Sequence, residues 1–89
     1  MSKEPPATSN GRSEYVFRLN VSELQKVAAK AKDSTGYAIS RRTGISESSV
    51  YRILNGEAQP DLNSAMRIAE AYDVDLRTLM KRIPVEVAA

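Results

Sequence analysis

Eighty-nine residues, 42% apolar and 27% charged, make one small globular domain with no room for a second core. The chain has neither Cys nor His. That excludes disulfides, removes the favoured zinc ligands, and rules out Ser-His and Cys-His nucleophile systems and any histidine acid–base. No apolar run approaches the roughly 20 residues needed to cross a bilayer. The start, Met1-Ser-Lys-Glu-Pro-Pro, lacks the apolar segment of a signal peptide. The expectation is a cytoplasmic, non-enzymatic protein with no cofactor, no metal and no membrane partner. Net charge is +2, unevenly spread. Residues 1–56 carry nine Lys and Arg against five acids, and residues 57–89 four against six. A basic first part suits a polyanion.

Residues 1–13, rich in Pro, Ser, Gly and Asn, read as a flexible tail, and residues 14–89 as a single domain. Residues 14–21 alternate, with Tyr15, Phe17, Leu19 and Val21 on one side, which predicts a short strand with one buried face. Ser22-x-x-Gln25 has the form of a capping box, and Leu24, Val27, Ala28 and Ala31 follow at helical spacing. Residues 33–36 interrupt this first helix. Thr35 is placed to cap a second helix that ends at Gly44. Ser46 caps a third, from Glu47 to Asn55, with Gly56 just beyond its end. Asp61 caps a fourth, with Leu62, Ala65, Met66, Ala69 and Tyr72 on one face, and Asp75 a fifth carrying Leu76, Leu79 and Met80. Asp73-x-Asp75 lacks the further ligands and the glycine of a calcium loop, so capping accounts for it. Ile83, Val85 and Val87 alternate again, and Pro84 restricts that segment to an edge strand. The fold class expected is mainly α: five short helices with a helix-turn-helix, plus a two-stranded β element from the chain termini. Those termini pair either within one chain or across a dimer.

Residues 35–56, TGYAISRRTGISESSVYRILNG, carry the function. Gly44 stands where one helix must stop and the chain turn sharply, a conformation that costs a residue with a Cβ about 1–2 kcal/mol. Ile39, Ile45, Val50 and Ile53 form a compact apolar set that fixes two helices at a steep angle. With Val50, Ile53 and Leu54 inward, Glu47, Ser48, Tyr51, Arg52 and Asn55 face outward. Ser46, Ser48 and Ser49 keep the first turn slim enough to approach base-pair edges. Arg52 can offer a bidentate fork to guanine and Glu47 can accept from the cytosine amine. Tyr51 suits a thymine methyl or a phosphate, and Asn55 an adenine or a phosphate.

Gly44-Ile-Ser46, Val50-Tyr-Arg-Ile53, Asn55-Gly56 and Pro60 resemble the phage-repressor or Cro-like (XRE) helix-turn-helix family, as do Ala65-Met-Arg-Ile-Ala69 and Val74-Asp-Leu-x-x-Leu79. The resemblance covers residues 35 to about 80. It implies a sequence-specific binder of double-stranded DNA, usually dimeric, with residues 46–55 as recognition helix. It also implies phosphate contacts near Gln59 and Asn63, in and after the loop that follows that helix. Two positions depart from the family pattern: Gly36 where a phosphate-gripping Gln is usual, and Ser40 where a small Ala is usual at the helix crossing.

Seven residues are the base-facing candidates: Ser46, Glu47, Ser48, Ser49, Tyr51, Arg52 and Asn55. Thr35, Gly36, Tyr37, Arg41, Arg42, Gln59 and Asn63 are the phosphate candidates, the first three because a helix N-terminus presents free N–H groups. The function expected is a homodimeric transcriptional regulator of repressor type on a palindromic operator, associated with the nucleoid. An antitoxin of the same fold that binds a toxin protein, and a protein-interaction module that reads no sequence, stay open. In the antitoxin the acidic last third and the terminal strands would be the toxin-binding surface.

Overall fold

The computed structural model describes residues 14–85. The expected tail at 1–13 and the strand position Val87 lie outside them. In chain order the elements are β1 (Tyr15–Leu19), α1 (Val21–Lys30), α2 (Gly36–Thr43), α3 (Glu47–Leu54), α4 (Leu62–Ala71), α5 (Leu76–Leu79) and β2 (Met80–Pro84). Each helix starts where a short polar side chain meets an N–H that has no partner inside the helix. The N–H groups of Ala38, Ser49, Ser64 and Arg77 donate to Thr35, Ser46, Asp61 and Asp75 at 3.0, 3.3, 2.8 and 2.9 Å. Such caps contribute about 1 kcal/mol each.

The first helix differs from the expectation. Its cap is Asn20, which accepts from the Glu23 N–H at 3.3 Å, so Ser22 lies inside α1 and Val21 opens the helix instead of ending the strand. Asn20 can serve both elements. Its backbone is extended, and its own N–H donates to the Leu79 carbonyl at 2.7 Å, continuing the β ladder.

One core joins all five helices and the base of the strands: Leu19, Leu24, Val27, Ala28, Ile39, Ile45, Val50, Ile53, Ile68, Ala69 and Leu79. Leu24, Ile68 and Leu79 are the largest fully buried side chains. On α4 the buried face is Ala65, Ile68 and Ala69 with half-buried Tyr72, while Leu62 and Met66 are 72% and 52% exposed. The predicted stripe is therefore rotated. The two alanines let α4 lie close to its neighbours with Ile68 between them, and Leu62 and Met66 fall on the adjacent, solvated side.

β1 and β2 pair antiparallel within the chain, from Tyr15 opposite Pro84 to Leu19 opposite Met80. The expected burial of one strand face holds only at its base. Leu19 is buried, whereas Tyr15 and Phe17 remain 39% and 59% exposed, because the ribbon extends past the helices. The two rings cover one another edge to face, with centroids 5.7 Å apart, and the Arg82 guanidinium lies 4.5 Å from the Tyr15 ring centre. No helix among the described residues is long and apolar enough to cross a membrane.

Candidate nucleic-acid interface

The turn between α2 and α3 is stitched almost wholly by its own residues. Gly44 has φ 82° and ψ 7°, and its N–H donates to the Ser40 carbonyl at 2.9 Å. Thr43 Oγ1 donates to the Ile39 carbonyl (2.8 Å) and accepts from the Ile45 N–H (3.3 Å). Ser40 Oγ donates to the Ile45 carbonyl at 2.5 Å. The family departure at Ser40 thus has a purpose in this chain: it replaces an apolar crossing contact with a bond from helix to turn. Ile45 is buried beneath, so the angle between α2 and α3 is fixed by both packing and hydrogen bonds.

That angle leaves one side of α3 bare. Val50 and Ile53 are buried, while Glu47, Ser48, Tyr51, Arg52 and Asn55 are exposed. Ser46 and Ser49 are partly committed to starting the helix, with their hydroxyls 2.8 Å apart. Gly56, at φ 77°, ends it in the left-handed conformation that glycine tolerates. All seven base-facing candidates accordingly lie on one short helix and its two caps.

The phosphate candidates divide. Thr35, Gly36 and Tyr37 sit together at the N-terminus of α2, and Arg41 stands over the Tyr37 ring at 5.9 Å. A Cβ on Gly36 would come within 2.7 Å of the Tyr51 ring, so the missing Gln of the family pattern is explained by space. In this chain the outward tyrosine of α3 occupies the position over the start of α2. Asn63 is exposed on the first turn of α4. Gln59 and Arg52 line one shallow polar depression of about 260 Å³ between α3 and the following loop.

Two candidates have their side chains engaged inside the domain. Gln59 Oε1 accepts from the Leu19 N–H at 2.8 Å, fastening the post-α3 loop to the base of β1. Arg42 donates through Nε and Nη2 to the Asp33 carboxylate, and its guanidinium stands 5.6 Å from the Tyr72 ring centre. Tyr72 Oη donates to the same carboxylate at 2.8 Å. Asp33 is therefore a hub that ties the α1–α2 connection, α2 and the end of α4 together. The Arg42 hydrogen bond holds the Asp33 carboxyl below its usual pKa, against the opposing effect of burial. Burial, then the neighbouring Asp33, pushes the Tyr72 hydroxyl well above the ordinary tyrosine pKa. No local pattern announces Asp33, because its partners lie 9 and 39 residues away.

This arrangement, a glycine-turned helix pair presenting one polar helix face, agrees with the comparison to known families. A model of the Cro/C1-type helix-turn-helix DNA-binding domain matches residues 18–85. The chain belongs to this family. Neither the curated proteins nor the solved structures gave a match. The Cro/C1-type unit here takes in α4, α5 and most of the ribbon as well as the helix-turn-helix, and its partner is DNA.

Proposed function

We propose that the protein is a sequence-specific transcriptional regulator of repressor type, acting in the cytoplasm at the nucleoid as a homodimer on a palindromic operator. The supporting observation is the face of α3: five exposed polar side chains on a helix whose opposite side is buried. In this reading α3 enters the major groove. Arg52 and Glu47 read a G·C pair, Ser46, Ser48 and Ser49 allow close approach, and Tyr51 and Asn55 contact bases or phosphates at its margins. Thr35, Tyr37, Arg41 and Asn63 set the register on phosphates, while Gly36, buried beneath the Tyr51 ring, gives that ring its space. Arg42 and Gln59 act by holding those elements in place. The work is binding, with no chemical step. A single short helix makes few base contacts, each contributing about 1–3 kcal/mol, and two-fold doubling supplies the remaining selectivity.

Selection from a random-duplex pool tests this directly. One symmetric motif is expected, and recovery of no motif would overturn sequence-specific binding. On the selected site Arg52→Ala should cost about 1–3 kcal/mol and relax preference at one base pair in each half. An equal loss on specific and nonspecific DNA would make Arg52 a phosphate contact instead.

A further inference from the structure

The two edges of the ribbon are chemically unequal. The Val85 N–H donates to the Glu14 carbonyl (3.0 Å) and the Asn20 N–H to the Leu79 carbonyl (2.7 Å). With the antiparallel register, the ladder bonds between the strands then belong to residues 14, 16, 18 and 20 on the first strand's side. The backbone groups of Tyr15, Phe17 and Leu19 point away from β2, and those of Met80, Arg82 and Pro84 point away from β1. On the β2 edge Pro84 has no N–H and Lys81 stands next to Arg82, features that keep an edge from pairing. On the β1 edge Gln59 already takes the Leu19 N–H. Among the described residues the outward N–H and C=O groups of Tyr15 and Phe17 have no hydrogen-bond partner, in a segment with neither Pro nor Lys.

We propose that β1 pairs antiparallel with β1 of a second copy, about a two-fold axis at Val16. The proposal rests on the homodimer reading above and names its interface. The outward groups sit on alternate residues, so only registers that oppose Tyr15 or Phe17 to another such residue can form hydrogen bonds. Centring on Phe17 would set Tyr15 against the partner's Leu19, whose N–H is occupied. Centring on Tyr15 would leave Phe17 opposite residue 13, beyond the strand. Centring on Val16 pairs Tyr15 with the partner's Phe17 and satisfies both residues in both copies. The same register sets Glu14 opposite the partner's Arg18, twice by symmetry, with Val16 against the partner's Val16 between them. One face of the joint is charge-complementary, and the other joins the exposed aromatic pairs of both copies. Four strands in place of two also pass the roughly three at which a sheet ceases to be marginal.

Sedimentation velocity on the full chain tests the pairing by charge exchange. Glu14→Arg and Arg18→Glu each place like charges opposite one another at two symmetric positions, and each should raise the dimer Kd roughly tenfold or more. Mixing the two variants in equal amounts should restore the dimer, because each chain then meets opposite charges at both positions. Both side chains are exposed, so thermal melts of the variants should match the wild type at a concentration where all are monomeric. Variants that dimerise like the wild type, or a mixture that does not recover, overturn this interface. If the wild type still dimerises on a symmetric operator, the homodimer reading stands without it. A wild-type chain that is monomeric both free and on its selected operator overturns both. If Glu14→Arg tightens and Arg18→Glu weakens DNA binding with dimerisation unchanged, the ribbon is a DNA contact and the pairing is overturned.

Discussion

In the helix-turn-helix, Ile39, Ile45, Val50 and Ile53 are buried together, and Ser40, Thr43 and Gly44 bond to groups a few residues away. In the ribbon, Tyr15 and Phe17 are exposed, and each strand finds its partner at the opposite end of the sequence. Both regions present side chains to solvent, but for different reasons. The α3 face is polar and rests on a filled core, so it is a rigid surface that needs nothing to cover it. The ribbon face is aromatic and lies beyond the core, so covering it would add stability. In the proposed dimer, helix-turn-helix and ribbon separate two tasks, binding DNA and meeting a second copy.

Core and ribbon truncations should therefore differ widely. Leu79, fully buried where α5 runs into β2, joins the two regions, and Leu79→Ala should cost about 2–5 kcal/mol of unfolding free energy. Denaturant titration would measure it, and a loss below about 1 kcal/mol would mean that the ribbon is not anchored through the helical core. Gly44→Val should come next, at about 1–2 kcal/mol, because it forces a branched residue to φ 82°. Its new Cβ would also meet the Arg67 guanidinium, 2.9 Å away, but that side chain can move aside. A Gly44→Val protein that melts and binds DNA like the wild type would remove the turn from the account.

A smaller effect should appear at low pH. The folded Asp33 carboxyl has its pKa depressed below 3.8, so its contribution is present at neutral pH and fades as pH falls below about 4 through the folded value. The difference in melting temperature between wild type and Asp33→Asn should narrow over that range. A constant difference would show that Asp33 acts by shape alone. Smallest of all, Phe17→Ala should change the stability of the isolated monomer by less than about 1 kcal/mol. A larger loss would show that the ring is held by more than its edge-to-face contact with Tyr15.

The features legible in the sequence were the ones decided within three or four residues. Thr35, Ser46, Asp61 and Asp75 cap helices because a short side chain reaches an N–H two or three positions on, and Gly44 and Gly56 end helices because the left-handed conformation suits them. The errors arose where distant segments choose between local options. Ser22 and Asn20 were both able to cap α1, and the bond from Asn20 to Leu79 favours Asn20. Either of two stripes on α4 was apolar enough to bury, and the neighbouring helices took the one with Ala65, Ile68 and Ala69. Asp33, Arg42 and Gln59 owe their roles to partners 9 to 40 residues away, which no spacing rule reveals. The α3 face was readable because its burial pattern and its chemistry share a single helical period.

The hydrogen bond from Val85 to Glu14 closes the described chain on itself. Helix pairs such as α2–α3 can form from neighbouring segments, whereas this clasp must wait until nearly the whole chain has been gathered, and loop closure makes such contacts slow. The order should be visible in reverse during native-state hydrogen exchange. The amides of Val16 and Arg18, whose ladder partners Ile83 and Lys81 lie at the other end of the described chain, should open by a local route, while Val50 and Ile53 exchange only with global unfolding. An unclasped chain with its DNA-reading helices intact would then be a discrete, low-lying excited state of the monomer.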